Sequence, residues 1–206
     1  EVEYEPLPAV FTIDEAIKEG APTLHEFAPD NTPVPGVPVF CYGDAAAAFA
    51  GAAVTAEGWY TTSKQVQCGM ENACCIADYQ HGRLTVWSQT QLPHMAKRML
   101  AHAMDLPEGR VRLIQPYAGC GFGAGTDLHG EPVCCALAMK AGAPVQLWYT
   151  RDEDFNNRVT REHVAKVYMK VGLAADGTPK ALEAHFIGDA GSYMCKTASG
   201  CGVALA

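Results

Sequence analysis

The 206-residue sequence predicts an α/β fold of mixed α+β character, and three observations carry that reading. The middle of the chain runs strand, helix, strand, glycine-rich loop, helix, strand, a layered arrangement with at least partly parallel pairing. Hairpin signals stand on either side of it, with Gln80-His-Gly82 and Ala175-Asp-Gly-Thr178 each placed between two alternating runs. Hydrophobic residues make up 49% of the chain and charged residues only 18%. An average soluble domain carries roughly 25% charged residues, so part of this surface reads as covered by other protein.

The elements follow in order. Val2 to Val10 alternates like a strand already in progress, and the absence of an initiator Met reads as a piece of a longer chain or a processed product. Ile13 to Gly20 reads as a short helix with acidic residues in its first turn and a glycine at its end. Residues 21–42 carry five prolines and little periodicity, which predicts an extended linker and a domain boundary. Gly43 to Ala50 is a short helix with Asp44 at its start, and Val54 to Thr62 alternates as a strand. Cys74 to Tyr79 and Arg83 to Gln89 are the strands of the first hairpin. A helix over Pro93–Met104 has proline in its first turn, and Met95, Met99, Leu100 and Ala103 share one face, which reads as core. Val111 to Tyr117 is a strand, and Leu128 to Ala141 a helix capped by Thr126 or Asp127 and ended by Gly142. Val145 to Thr150 is a strand, and Val164 to Leu173 with Lys180 to Ile187 form the last hairpin.

A net charge of −8 argues against nucleic acid, whose affinity rests on neutralising phosphates with Lys and Arg. No apolar run approaches the ~20 residues of a membrane span, and no signal peptide is readable. The nine cysteines stand at 41, 68, 74, 75, 120, 134, 135, 195 and 201, without a C-x-x-C. Most read as small buried hydrophobes in a reducing cytoplasm, with no metal site among them.

The chemistry concentrates in Gln115-Pro-Tyr-Ala-Gly-Cys-Gly-Phe-Gly-Ala-Gly125, between a strand and a helix. Bare backbone at a helix N-terminus can cradle an anion, and alternating glycines can equally make a tight turn. Gly119-x-Gly121-x-x-Ala124 satisfies the loose dinucleotide fingerprint, so a nicotinamide-binding oxidoreductase is one reading. The acidic residue expected about 20 positions on has only Asp152 and Glu153 as candidates.

Read with its flanks, the loop supports another reading. Val86-Trp-Ser-Gln-Thr-Gln-Leu-Pro93, then Arg110 to Ala124, then Tyr149-Thr-Arg-Asp-Glu-Asp-Phe155 resembles the molybdenum-binding subunit of the xanthine dehydrogenase and aldehyde oxidase family. Val2 to Val10 and Asp14 to Ile17 resemble the end of that family's hammerhead domain. The resemblance implies residues 1–20 as that domain's end, 21–42 as linker and 43–206 as the first part of a molybdopterin-binding domain. It further implies a hydroxylase acting on an aldehyde or N-heteroaromatic substrate, with water as oxygen source. The cofactor would be molybdopterin with molybdenum, in cytosine dinucleotide form. Electrons would pass to 2Fe-2S and FAD on partner subunits or domains. Gln91, Gly121, Phe122 and Gly123 are implied as cofactor contacts and Arg161 as a substrate contact.

The sequence departs from the family in three places. Ala118-Gly-Cys-Gly121 stands where three glycines are usual, and Gly125-Thr126 stands where Lys-Glu is usual. Glu71-Asn-Ala73 replaces Glu-Pro-His. The family's catalytic base lies beyond this stretch, so no catalytic residue is assigned, and a second molybdopterin-binding subunit or the missing C-terminal part would supply it. A scaffold that keeps the fold without the chemistry is the third reading.

Overall fold

The computed structural model describes residues 2–32, 41–63, 65–157, 161–162, 165–189 and 191, without the side chains of 157, 161 and 162. In chain order the elements are α1 (Ile13–Ala16), α2 (Ala45–Ala50), β1 (Val54–Thr61), β2 (Gln65–Val66), β3 (Cys74–Gln80), β4 (Arg83–Ser88), α3 (Pro93–Ala103), β5 (Val111–Ile114), α4 (Glu131–Ala141), β6 (Val145–Trp148), α5 (Arg151–Asn157), β7 (Arg161–Glu162), β8 (Ala165–Leu173) and β9 (Pro179–Gly188). They fall into two compact units, Glu1–Lys64 with His163–Ala206, and Gln65–Glu162. The mixed α/β expectation holds.

The first unit is an antiparallel sheet in the order β1-β8-β9. The turn joining β8 to β9 closes with Ala174 N–H donating to Thr178 O at 2.8 Å, and Gly177 takes φ +85° there. Helix α2 is capped by the Asp44 side chain, which accepts from Ala47 N. Its Phe49 comes so close to β8 that a Cβ on Gly172 would lie 3.1 Å from the ring. Helix α1 is a single turn closed by a Thr12/Glu15 capping box, and its Asp14 pairs with Lys166 at 2.5 Å. The expected strand at Val2–Val10 does not form: the segment is exposed and unpaired among the described residues, and Pro6 and Pro8 delete two ladder donors.

The second unit carries a four-stranded sheet in the order β5-β4-β3-β6, in which only β4 and β5 run parallel, and a two-stranded ribbon of β2 and β7. The predicted hairpin turn is His81-Gly82, with φ of 51° and 75°, the left-handed pair that matches strand twist. Register places Cys75, Ala77, Leu84, Val86, Val111, Leu113, Val145 and Leu147 on one sheet face. Helices α3 and α4 cover that face with Leu100, Ala101, Cys134, Cys135 and Ala138. Leu84, Leu100 and Val86 are fully buried, each contributing about 1.5–3 kcal/mol. On the opposite face Ile76 and Trp148 stay exposed.

Two expectations for this unit fail. Met95 and Met99 are 43% and 36% exposed. The core face of α3 is Ala96, Leu100 and Ala101, because the sheet takes the stripe one position further round, where small residues allow close approach. Helix α4 starts at Glu131 after Gly130, and neither Thr126 nor Asp127 caps it. Instead Thr126 Oγ1 donates to Gly123 O at 2.5 Å. The cysteine expectation holds for Cys75, Cys134 and Cys135, which are buried, whereas Cys41 and Cys68 are exposed. Cys195 and Cys201 lie outside the described residues. Among the described residues no metal-ligand cluster is found, and no helix is long and apolar enough to cross a membrane.

Candidate functional site

Strand direction assembles the site. Because β4 and β5 are parallel, their carboxyl ends open on one edge of the sheet, the usual position for ligands in α/β folds. Strand β3 is antiparallel to β4 and starts at that edge, and β6, antiparallel to β3, ends there. Four segments therefore converge: 69–73, 89–92, the loop 115–130 and the start of α5.

The glycines have separate reasons. A Cβ on Gly119 would fall 2.4 Å from Cδ of Glu71, one on Gly121 2.6 Å from Cδ of Gln91, and one on Gly125 2.8 Å from the Gln89 carbonyl oxygen. Those three are bare so that the neighbouring segments can pack against the loop. Gly123 is different, since among the described residues nothing beyond its chain neighbours lies within 4 Å of its missing Cβ and its φ is +84°. Phe122 beside it is 67% exposed and also left-handed at φ 50°. That conformation costs a non-glycine residue roughly 1–2 kcal/mol.

The hydrogen bonds show which loop groups are spent. Gln91 N–H donates to Gly125 O at 2.6 Å, as does Thr90 Oγ1 at 3.1 Å, and Gly125 N–H donates to Gln91 Oε1 at 3.1 Å. That donor fixes the amide's orientation, so Gln91 presents its Nε2 donor with no partner among the described residues. Cys120 N–H donates to Glu71 Oε2 at 2.9 Å, and Ala124 N–H to Gly121 O at 2.9 Å. Gly121, Phe122 and Gly123 keep backbone N–H groups without partners among the described residues. Ala124–Thr126 is a single 3-10 turn and Asp127 is extended before α4 begins. The loop is thus not at an α-helix N-terminus, and the dinucleotide reading loses its premise.

Behind the loop lies a buried polar layer. Glu131, 8% exposed, accepts from Ser88 Oγ at 2.6 Å and from His129 N–H at 2.7 Å, at the positive end of α4. The His129 ring meets Ala124 O through Nε2 at 2.5 Å. Nearby, burial pushes the Cys75 and Cys134 thiols up and takes Cys135 to about 12, which keeps them unreactive.

Beside the loop an open groove of about 470 Å³ is lined by Glu71, Asn72, Cys74, Gln89, Trp148 and Arg151. Asn72 Oδ1 and Gln89 Oε1 are buried there without hydrogen-bond partners among the described residues, an unusual cost of about 1–3 kcal/mol each.

Of the residues predicted from sequence, Gln91, Gly121, Phe122 and Gly123 come together at this edge. Arg161 lies in β7 opposite Val66, and its side chain falls outside the described residues. Sequence reading missed Glu71, Thr90 and His129 as loop partners. For Glu71 the available signal was the alternation of glycines, since the bare position at Gly119 is filled by its carboxylate.

Residues 24–206 match the model of the molybdopterin cofactor-binding domain. The chain is 32% identical over 226 residues to a "Probable hypoxanthine oxidase" of Escherichia coli O157:H7, covering 94% of this chain and 24% of that protein. It is 31% identical over 193 residues to the nicotinate dehydrogenase large molybdopterin subunit of Eubacterium barkeri, covering 93% of this chain and 44% of that one. The aldehyde oxidoreductase of Desulfovibrio gigas superposes with a TM-score of 0.80 at 24% identity, over 92% of this chain and 21% of that one. The chain therefore spans less than half the length of each of these proteins.

Proposed function

The chain belongs to the molybdopterin cofactor-binding family of the xanthine dehydrogenase and aldehyde oxidase type, and from that premise we propose that the rim of its glycine loop holds the molybdopterin of a molybdenum hydroxylase. The single observation that carries this is the unused set of donors at the rim. These are the N–H groups of Gly121, Phe122 and Gly123 and the Nε2 amide of Gln91, beside a glycine whose missing Cβ faces open space. Such a set fits an oxygen-rich, anionic group, and among the described residues these donors have no hydrogen-bond partner.

When bound, the group supplies two-electron oxidation of a carbon centre, with water as oxygen source. The chain's part is to hold and orient. Gln91 is locked by Gly125, so its Nε2 would be the donor that helps hold the cofactor. Gly123 would hold the cofactor through bare backbone, and the exposed Phe122 ring would help exclude water from it. Arg161 is proposed to bind substrate, an aldehyde or an N-heteroaromatic. The general base is assigned to no residue here and is expected on a further segment or a second molybdopterin-binding subunit. We assign residues 1–20 to the end of a hammerhead domain, 21–42 to a linker and 43–206 to the first part of the molybdopterin-binding domain. The cytosine dinucleotide form, the 2Fe-2S and FAD partners and a cytoplasmic location belong to the same proposal.

Elemental analysis of the purified complex for molybdenum, with acid release of a cytidine nucleotide, tests the reading. Both are expected. Active complex lacking molybdenum would overturn it, as would a molybdenum-free complex that serves as a scaffold. Molybdenum without the nucleotide would overturn the dinucleotide form alone.

A further inference from the structure

The segment 69–73 has no regular structure of its own, yet it is held from several directions. Arg151 donates through Nη1 to Gly69 O at 2.8 Å and through Nη2 to Met70 O at 2.6 Å. Asp154, 4% exposed, accepts from Ala73 N–H at 2.8 Å and pairs with Arg151 at 3.5 Å. Asn72 Nδ2 donates to Tyr149 O at 2.9 Å, and Tyr149 N–H donates to Ala73 O at 3.0 Å. These bonds fix the base of Glu71 while its carboxylate reaches the glycine loop. There it takes the Cys120 N–H and fills the space that a Cβ on Gly119 would need. Gly119 is left-handed at φ +64°, so the chain turns at the point where the carboxylate supports it.

We propose that Glu71 is a positioning residue: its carboxylate, braced by Arg151 and Asp154 through the 69–73 segment, sets the position of the loop whose rim carries the free donors. The inference rests on the molybdopterin reading for what the loop holds, but the clamp itself is a property of the protein. Gln91 holds the loop at its far end through Gly125, and Glu71 holds the near end, leaving Gly121 to Gly123 as the span between two supports. The carboxylate bonds the backbone of Cys120, so its influence on the rim donors passes through the loop backbone.

The test uses the full complex carrying Glu71→Ala or Glu71→Gln. Hydrogen–deuterium exchange of the peptide covering 117–125 is measured together with molybdenum per chain. Glu71→Ala is expected to raise exchange there about tenfold, the weight of one charge-assisted hydrogen bond, and to lower molybdenum occupancy. Glu71→Gln keeps an acceptor oxygen for Cys120 N–H and is expected to restore most of the protection, which a generic loss of stability would not do. Should Glu71→Ala fail to assemble, Gly119→Ala serves, since its Cβ displaces the carboxylate and should raise exchange in the same peptide. Unchanged exchange in Glu71→Ala, or a glutamine variant as loose as the alanine, overturns the proposal. Faster exchange in a complex that never held molybdenum would instead uphold the clamp and refute the cofactor reading.

Discussion

Replacing Gly125 by alanine isolates the packing on which the site depends. Gly125 is buried with an ordinary φ of −93°, so alanine meets no backbone penalty and the whole cost is steric. Its Cβ would lie 2.8 Å from Gln89 O and 3.2 Å from Gln91 N. Both are backbone atoms that cannot swing away, so the loop must retreat by several tenths of an ångström. The bonds at 3.1 Å from Thr90 Oγ1 to Gly125 O and from Gly125 N–H to Gln91 Oε1 would then pass beyond useful length. Two lost bonds at about 0.5–1.5 kcal/mol each, with a buried group left unpaired, bring the cost to about 2–4 kcal/mol. Urea unfolding at constant m measures it. Gly123→Ala, with open space and only a left-handed φ to strain, should cost about 1–2 kcal/mol. A Gly125→Ala cost equal to or below that of Gly123→Ala would refute the reasoning.

Further outcomes follow from the thiols and the first sheet. In the folded chain iodoacetamide should alkylate the exposed Cys41 and Cys68 within minutes, while Cys75, Cys134 and Cys135 react only on unfolding, as mass spectrometry of the labelled peptides would show. Tyr168 donates to Glu57 at 2.8 Å, which holds the phenol up, to about 12, and holds Glu57 below the usual carboxylate range with help from Lys170. Tyr168 keeps its proton more tightly folded than unfolded. Its stabilisation is therefore present below the unfolded value of about 10 and is lost as pH rises toward the folded one. For Glu57 the contribution is present above the unfolded carboxylate value and is lost as pH falls through its depressed one. The unfolding midpoint of Tyr168→Phe should accordingly vary less between pH 9 and 12 than that of the parent, and an identical slope would contradict the pairing.

Much of the architecture was legible because its signals are local. His81-Gly82 and Ala175 to Thr178 are turns that few other residues would make, and Asp44 and Gly142 mark helix ends by their own chemistry. What failed depends on distant partners. The Met95/Met99 stripe has the right period for a core face, but only the sheet's position decides that Ala96, Leu100 and Ala101 face inward. The Val2–Val10 alternation has no partner strand among the described residues. In the site, Gln91 and the loop were found through their flanks, whereas Glu71 is 48 positions from Gly119 and nothing in its own neighbourhood points there. The glycine pattern itself was ambiguous, because a glycine bare for packing and one bare for a ligand look alike in sequence. The structure separates them by what a Cβ would touch.

That separation provides the most direct test of the central claim, that the Gly121–Gly123 rim faces the molybdopterin. Gly123 at φ +84° and Gly177 at φ +85° have the same backbone strain, and among the described residues nothing beyond the chain neighbours lies within 4 Å of either missing Cβ. Gly123 belongs to the proposed cofactor rim, whereas Gly177 closes the turn between β8 and β9. Molybdenum per chain in the purified complex should fall severalfold in Gly123→Ala and stay at the parent value in Gly177→Ala, with equal losses of thermal stability. Equal molybdenum in the two variants would contradict the account.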